Sequence, residues 1–447
     1  MIVRTNKSEL TLSDFQRVVE SQAHDFAHKT KLKRYYLGRH DILGKHGRTN
    51  TDVNNKLVSN FCSYITNMST GFFLGQPVTY KTTTEHESEL QTLLDVFKYN
   101  DESAHNVELA EEASITGEAF EFLYLDGDAR IRMACVPGEE VILICDATLE
   151  ENVLYGVRHF RVKNLDGVTD EEFVDIYDTN TVKHFTYNGA LKMISEEPHY
   201  FGDVPIIPFP NNRQRRGDFE DVMTLVDAYN LAQSLTLDDL QDFTDAFLVL
   251  VGMGGTDPED VRELRRNKVI SLDGDGANAS WLIKNINDTY VENVKTRLQT
   301  DIHKFSNIPD MSDDSFVGNT SGVAIKYKLI GLEQIRSRKE REFKKALQRR
   351  IELIGGVLKL KSLTPIDFRD IDVQFTANVP ANMQELAQIV TQLDGVVSQK
   401  TLLGLLPFVA DPLEEIDELE TADDEHFDEE APDYDDDTAR ADARSRS

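Results

Sequence analysis

The 447-residue sequence predicts an α+β protein in which long helices are combined with antiparallel β-hairpins. Three patterns predict this class. Apolar residues recur mostly three or four positions apart from Val323 to Leu358, as one buried helical stripe requires. β-branched and polar residues alternate over residues 118–210, between turn dipeptides such as Asn188-Gly189. Helical spacing also covers 221–250 and 289–306, which predicts two further helices.

A partly helical segment, Asp14–Tyr36, comes first along the chain. It contains a basic cluster of Lys29, Lys31, Lys33 and Arg34. Such a cluster can indicate nucleic-acid binding, but base-stacking aromatic residues are not interleaved with it. We therefore interpret the cluster as a solvated helix face.

The segment Leu57–Tyr80 has no charged residue and is the one candidate for a membrane span. Polar residues such as Asn60, Ser63 and Asn67 interrupt it, and its apolar residues fall on one helical face. It is predicted to be an amphipathic core helix, so no membrane partner is expected.

Hairpins follow. The predicted strands are Phe120–Leu125, Val141–Cys145, Leu154–Val162, Phe173–Tyr177 and Thr181–Tyr187. We interpret Asn188-Gly189 as a type I′ turn, because that turn needs two residues that accept positive φ.

A compact unit separates the helices over 221–250 and 289–306. Residues 269–272 and 281–283 are predicted strands, and Asp273–Asn278 is the loop between them. The returning helix is expected to begin at a capping box made by Thr289 and Glu292.

The returning helix is predicted to end at Asn307-Ile308-Pro309, and a polar loop follows. Ser321-Gly322 then begins a long helix that continues to Lys361, and its apolar stripe from Val323 to Leu358 spans roughly 50 Å. Residues 321–361 include 12 Lys or Arg and four Glu, a net charge of +8.

Short elements and an acidic tail complete the chain. Val373–Thr376 is a predicted strand, and two short helices over 382–406 are capped by Asn382 and Ser398. From Asp411 onward, 17 acidic and three basic residues give a net charge of −14, which is typical of disorder.

The net charge of the whole chain is −31, so the body is acidic as well. A DNA clamp gains affinity from Lys and Arg, whereas an acidic wall would let a duplex slide past.

The three cysteines show no pairing or metal spacing, and we expect them to be reduced. The amino-terminal residues have no apolar core of a secretory signal.

Catalytic and metal motifs are incomplete. Gly44-Lys45 lacks the spacing of a P-loop, and His86-Glu87 lacks the second His of a zinc protease. The acidic run from Asp273 lacks the EF-hand glycine, and Asp313-Asp314 is interpreted as an exposed acidic loop. The sequence therefore predicts no enzyme activity, no cofactor and no metal site.

Residues 307–333, NIPDMSDDSFVGNTSGVAIKYKLIGLE, closely resemble the segment that carries the DNA-facing tunnel loop in portal proteins of tailed bacteriophages. The likeness is greatest to portals of long-tailed phages of Gram-positive hosts and extends over most of the chain. Further similar segments follow in the family's order at residues 60–77, 205–230, 375–385 and 395–402.

The resemblance implies a portal fold that assembles as a ring. The expected regions are a wing (1–220), a stem helix (221–250), a clip (251–288), a second stem helix (289–306), a tunnel loop (307–321), a long helix with a returning wing strand (322–380), a crown (381–419) and a disordered acidic tail (420–447).

The resemblance also implies a function and partners. Twelve subunits would form a ring at one capsid vertex, through which double-stranded DNA enters during packaging and leaves at infection without sequence-specific binding. Expected partners are terminase, a head-completion (adaptor) protein, and capsid and scaffolding proteins. The protein would lie in the virion, and in the host cytoplasm during assembly.

Three sets of site residues follow. The tunnel loop would present Asp310, Asp313, Asp314, Ser315, Phe316, Val317, Gly318, Asn319 and Thr320. The clip would dock partners through Asp273, Gly274, Asp275, Gly276 and Asn278. Arg341, Lys344 and Lys345 of the long helix would form a charged seam between subunits.

Alternatives exist at each level. Phe316 and Val317 could simply pack on a neighbouring helix, and the seam residues could form a solvated basic face. A packaging ATPase would need the P-loop that is missing. The remaining alternative for the whole protein is a minor head or capsid-interaction protein that does not encircle DNA.

Overall fold

The computed structural model describes residues 1–7, 9–46, 53–163, 170–242, 247–251, 278–282, 288–312, 322–377, 383–406, 409 and 415–416. The chain divides into two compact units, 1–378 and 379–447. The helices of the first unit are α1 (Leu12–Ser21), α2 (Ala23–Tyr36), α3 (Phe61–Leu74), α4 (Glu87–Tyr99), α5 (Glu102–Thr116), α6 (Met223–Asp242), α7 (Asp288–Ser306), α8 (Gly322–Lys328) and α9 (Ile330–Leu360). The second unit contains α10 (Met383–Leu393) and α11 (Gln399–Leu403).

The described strands are β1 (Ile2–Thr5), β2 (Thr79–Lys81), β3 (Glu118–Leu125), β4 (Ile131–Val136), β5 (Val141–Asp146), β6 (Val153–Lys163), β7 (Asp170–Tyr177), β8 (Thr181–Tyr187), β9 (Leu191–Pro198), β10 (Ile206–Pro210), β11 (Phe247–Val251), β12 (Asn278–Leu282) and β13 (Asp372–Gln374). They form a six-stranded sheet, β1-β5-β6-β7-β8-β9, a three-stranded sheet, β10-β3-β4, and the pairs β11-β12 and β13-β2. The predicted mixture of helices and antiparallel hairpins is confirmed.

Strand β5 shows how the two larger sheets are layered. Ile142 and Ile144 join a buried cluster with Phe15 and Val19 of α1. Val141 and Leu143, which point the other way, join a second cluster with residues of the three-stranded sheet. The six-stranded sheet is therefore covered by α1 on one face and by the smaller sheet on the other.

The turn between β8 and β9 differs from the prediction. Tyr187 pairs with Leu191, so the loop has three residues, and only Gly189 of Asn188-Gly189 has a positive φ, +72°. A type I′ turn needs two such residues in a two-residue loop, and the predicted turn type is therefore wrong.

Two other apolar clusters hold the helices together. One lies among α3, α4, α5, the three-stranded sheet and α9. The other joins α2, α3, α6, α7 and α9. Helix α3 contributes to both, which confirms that the uncharged segment contains a core helix. Among the described residues, no helix combines the length and hydropathy that a membrane span needs.

A ladder of side chains joins α6 to residues 55–59. Leu57 N donates to Ser234 Oγ at 2.9 Å, Ser59 N donates to Asn230 Oδ1 at 2.8 Å, and Asn55 N donates to Asp238 Oδ1 at 2.6 Å. The side chains at 230, 234 and 238, four residues apart on α6, thus accept hydrogen bonds from the backbone amides of alternate residues 59, 57 and 55. The acceptors are buried, and each is satisfied in this way.

Several predicted boundaries need correction. The stem helix over 221–250 is too long, because α6 ends at Asp242 and Phe247–Val251 is a strand paired with β12. Helix α7 begins at Asp288, before the predicted cap Thr289. Leu329 separates α8 from α9, so the long helix is not continuous.

Other predictions agree with the structure. Residue Ser398 caps α11, since its side chain accepts a hydrogen bond from Thr401 N. The strand after the long helix is β13. Outside the described residues lie Asn382, most of the clip and the acidic tail over 420–447. The boundaries of the other predicted regions stay predictions.

Candidate functional site

The described residues include the start of the predicted tunnel loop, residues 307–312, which we call the loop root. Helix α7 ends at Ser306, and Asn307 takes a left-handed conformation with φ +57°. Asn tolerates this conformation better than most residues. The chain is thereby redirected, and Ile308 enters the buried cluster that also contains Ile302 and Leu332.

The other side of the loop meets the root at Gly331. A Cβ atom added to Gly331 would lie 3.0 Å from the carbonyl oxygen of Asn307. The absence of that atom lets α9 approach the root closely. The two chain segments that flank the predicted loop therefore contact each other.

Asp310 is held against α7. Its carboxylate accepts hydrogen bonds from Gln299 Nε2 at 2.9 Å and from Ser312 N and Oγ at 2.9 and 2.6 Å, and His303 Nε2 lies 3.7 Å away. Burial opposes ionisation, but the bonds from Ser312 lower the pKa of Asp310 below its ordinary value.

Asp310 is one of the predicted DNA-facing residues, whereas its carboxylate is used within the subunit to fix the root. The rest of the predicted set, Asp313, Asp314, Ser315, Phe316, Val317, Gly318, Asn319 and Thr320, lies outside the described residues.

The predicted clip site is described at one residue. Asn278 is the first residue of β12 and pairs with Val251 of β11, so it lies in a strand and not in the predicted loop. Asp273, Gly274, Asp275 and Gly276 lie outside the described residues.

The seam residues have different environments. Arg341 and Lys345 are exposed, and Lys345 pairs with Glu342 one turn away at 3.1 Å. Lys344 points to β13, where its Nζ donates to Val373 O at 3.3 Å. Lys344 is therefore engaged within the subunit, which leaves Arg341 and Lys345 as the exposed part of the predicted seam.

Two cations of the same helix are buried in the subunit. Lys339 Nζ donates to Asp218 Oδ2 and to Asn211 Oδ1, both at 2.6 Å. Arg350 Nη1 donates to Glu102 Oε1 at 3.0 Å and to Asn106 Oδ1 at 2.9 Å. Part of the helix's net charge of +8 is therefore neutralised inside the fold and does not face a neighbour.

Burial by itself would raise the pKa of Asp218, but Lys339 and several hydrogen bonds lower it. The pKa of Glu121 is likewise lowered by Arg350 against the effect of burial. These ion pairs were not predicted from the sequence, although a signal for them exists. Arg350 falls four residues before the apolar Ile354, on the buried stripe, and Lys339 falls four before Phe343.

The prediction of a solvated face for the basic cluster of α2 is wrong in part. Lys29 is buried, and its Nζ donates to Glu118 Oε1 at 2.7 Å. Lys33 lies within 2.8 Å of Glu112 and 2.7 Å of Glu139. Lys29 thus joins α2 to β3, and Lys33 joins α2 to α5 and to the turn before β5, so the cluster is not a simple solvated face.

Comparison with known proteins matches these features to one family. The family described as "Phage portal protein, SPP1 Gp6-like" matches residues 16–427. The portal protein of Bacillus phage SPP1 is 25% identical over 415 residues, which cover 87% of this chain and 80% of that protein. The portal protein of Clostridium phage phiCD119 is 24% identical over 439 residues, covering 92% and 95%.

Chains in two solved structures are also similar to this chain. A chain in the neck of a native GTA particle has a TM-score of 0.45 and 11% identity, covering 77% of this chain and 89% of that one. A chain in the neck of an empty GTA particle has a TM-score of 0.45 and 14% identity, covering 78% and 91%. The family match spans most of the sequence and confirms the resemblance that residues 307–333 indicated. The chain belongs to the SPP1 Gp6-like family of phage portal proteins.

Proposed function

We propose that copies of this portal subunit close into a ring of twelve at one capsid vertex, and that the genome passes through its centre. A closed ring requires that one face of each subunit meets a different face of the next. The tunnel loop over 310–320 would line the narrowest part of the channel. Asp313 and Asp314 of every copy would form acidic rings there.

The observation that carries this proposal is an apolar surface on the two stem helices, α6 and α7, which pack against each other. Large apolar side chains stay exposed on both, including Leu235 at 46% and Phe305 at 56%. Leu231 of α6 and Val294 of α7 are exposed as well. Leu231 lies one helical turn before Leu235, and Val294 lies three turns before Phe305, so each pair shares one face of its helix. Exposed apolar surface of this kind typically marks an interface, and a second copy of the chain is the occupant that a ring supplies.

The charge balance supports a channel that does not retain DNA. With a net charge of −31, each added subunit increases the repulsion of phosphate groups. Such a wall permits movement in both directions, for packaging and for release.

The clip, 251–288, would bind terminase before packaging and the head-completion protein afterwards. Capsid and scaffolding proteins would contact the outer part of the ring during assembly in the host cytoplasm. The alternative of a minor head protein that does not encircle DNA requires no closed ring.

Negative-stain microscopy of the purified full chain tests the proposal. We expect closed rings with a central hole. The double variant Leu231→Gln and Leu235→Gln should reduce the ring fraction, whereas Leu149→Gln with Met193→Gln, at exposed apolar residues of the wing, should not. Monomers or open chains in the unchanged protein would contradict the ring.

A further inference from the structure

A single hydroxyl group contacts the loop root on both sides of Asp310. Tyr64 Oη, from α3, donates to Pro309 O at 2.9 Å, and Met311 N donates to Tyr64 Oη at 3.2 Å. The two peptide groups that flank Asp310 are thus attached to one side chain. A Phe at this position would fill nearly the same volume but would make neither bond.

The ring of Tyr64 also packs against His303, a second residue that contacts the loop root. His303 of α7 lies with its ring edge-on to Tyr64 and to Phe61, at centroid distances of 5.7 and 5.8 Å. His303 Nδ1 is 3.1 Å from Ile308 O and donates to it. Helix α3 therefore supports the root directly through the Tyr64 hydroxyl and indirectly through His303.

These contacts join separate parts of the subunit. Helix α7 belongs to the predicted stem, α3 packs in the core with α2 and α5, and Gly331 of α9 closes on Asn307. Burial raises the pKa of Tyr64, so its hydroxyl keeps the proton that it donates to Pro309. The loop root is therefore fixed by three residues, Tyr64, His303 and Gly331.

We propose that Tyr64 is a positioning residue for the tunnel loop, and that its hydroxyl sets where each copy of the loop leaves the ring wall. This role rests on the proposed function, in which the loop lines the DNA path. A uniform aperture requires every copy to project its loop from the same point, and a hydroxyl bonded to two successive peptide groups fixes both position and direction.

The first test is hydrogen–deuterium exchange on intact rings of Tyr64→Phe. We expect exchange at the Met311 amide to accelerate roughly two- to tenfold, the effect of one lost hydrogen bond. Tyr36→Phe is the matched control, because its hydroxyl also contacts α3, at Asn67, and Glu111, but not the root. Equal exchange at Met311 in Tyr64→Phe and the unchanged protein would overturn the proposal.

Gly331→Ala supplies a second variant that leaves Tyr64 in place. The added Cβ would press on Asn307 O, while alanine favours the helix more than glycine does. Faster exchange over 307–312 without a lower melting temperature would show a local displacement of the root and not a general loss of stability. Unchanged exchange rates over 307–312 would contradict the inference that the contact between Gly331 and Asn307 fixes the position of the root.

Packaging and retention of DNA by the same rings separate this role from the proposed function. Faster exchange with impaired packaging or retention supports both. Faster exchange with normal packaging and retention would support the role of Tyr64 in fixing the root but would contradict a loop on the DNA path. Normal exchange with impaired packaging would show that Tyr64 acts elsewhere and would overturn the positioning role.

Discussion

Arg350 of α9 and Glu121 of β3 form an ion pair in which neither side chain is exposed to solvent. Arg350 Nη2 lies 2.8 Å from Glu121 Oε1, and Nε donates to Oε2 at 2.9 Å. The pair joins residues 229 positions apart in the sequence. It fixes the rotation of the long helix on the sheet, because any other rotation would leave both charges buried without a partner.

Removal of this pair should therefore be costly. We expect Arg350→Met to lower the free energy of unfolding by about 3–5 kcal/mol, since Glu121 and Glu102 would stay buried without their cation. The adjacent Arg349→Met removes a more exposed pair with Asp203 and Glu352 and should cost about 0–1 kcal/mol. Urea denaturation at neutral pH measures both, and equal losses would contradict the structural role of Arg350.

The pair Asp218–Lys339 should make stability depend on pH. The pKa of Asp218 is lower in the folded state than its ordinary value of 3.8. Its contribution is therefore complete well above that value and is lost as the pH falls below it. We expect Asp218→Asn to lower the unfolding free energy strongly at pH 7 and progressively less below about pH 4.

Denaturation of both proteins at several pH values checks this expectation. Asp203→Asn, at the exposed pair with Arg349, is the control and should cost less than about 1 kcal/mol. A loss in Asp218→Asn that does not vary with pH would mean that ionisation of Asp218 is not the source of its effect.

The seam between subunits should depend on Arg341 and Lys345 more than on Lys344. We expect Arg341→Glu with Lys345→Glu to reduce ring formation while each subunit keeps its melting temperature. Lys344→Glu should instead act on the local contact with β13. Light scattering at low and moderate salt measures ring mass, and because exposed charges are screened, the difference should shrink as salt rises. An unchanged ring mass at low salt would exclude an electrostatic seam at these residues.

The clip prediction concerns residues 273–277. Their replacement by a Gly/Ser turn should leave rings intact and abolish capture of purified terminase and head-completion protein. Asn278 should be retained, because it begins the strand that pairs with Val251. Full binding of both partners by this variant would move the docking surface elsewhere.

The tunnel-loop prediction separates apolar from acidic residues. Phe316→Ala or Val317→Ala should leave rings intact but impair packaging or retention. Asp313→Lys with Asp314→Lys should make DNA adhere to the ring, with an affinity that falls steeply as salt rises. Packaging in vitro measures each effect. Normal yield and retention from a ring that carries all four changes would contradict the assignment of this loop to the DNA path.

The sequence predicted local structure better than distant contacts. The periodic stripes identified α3, α6, α7 and the long helix, because their spacing is a local property. Strand β11 was included in a helix, since a short apolar run such as Phe247–Val251 fits either structure. The parallel pairing of β1 with β5 joins residues about 140 positions apart, which no local pattern reveals.

The same limit applies to the site. Asn307 was correctly predicted to end a helix, because its neighbours Ile308 and Pro309 interrupt the helical pattern. Asp310 faces the subunit because its carboxylate accepts a hydrogen bond from Gln299 of α7, which lies eleven residues earlier in the sequence. The sequence predicted a solvated Lys29, because its partner Glu118 lies 89 positions away and no local pattern reveals it. Ion pairs of this kind depend on tertiary packing and cannot be predicted from local sequence patterns.

The ladder between α6 and residues 55–59 restricts how the lengths of these two segments can change. Four helical residues rise about 6 Å and two extended residues span about 6.7 Å, so their repeats nearly coincide over three bonds. A one-residue insertion or deletion in residues 55–59 would turn alternate peptide groups away from the helix. Asn230 and Ser234 would then be buried without their donors. Evolution of this region should therefore proceed by substitution at constant length, with insertions confined to the segments before and after it.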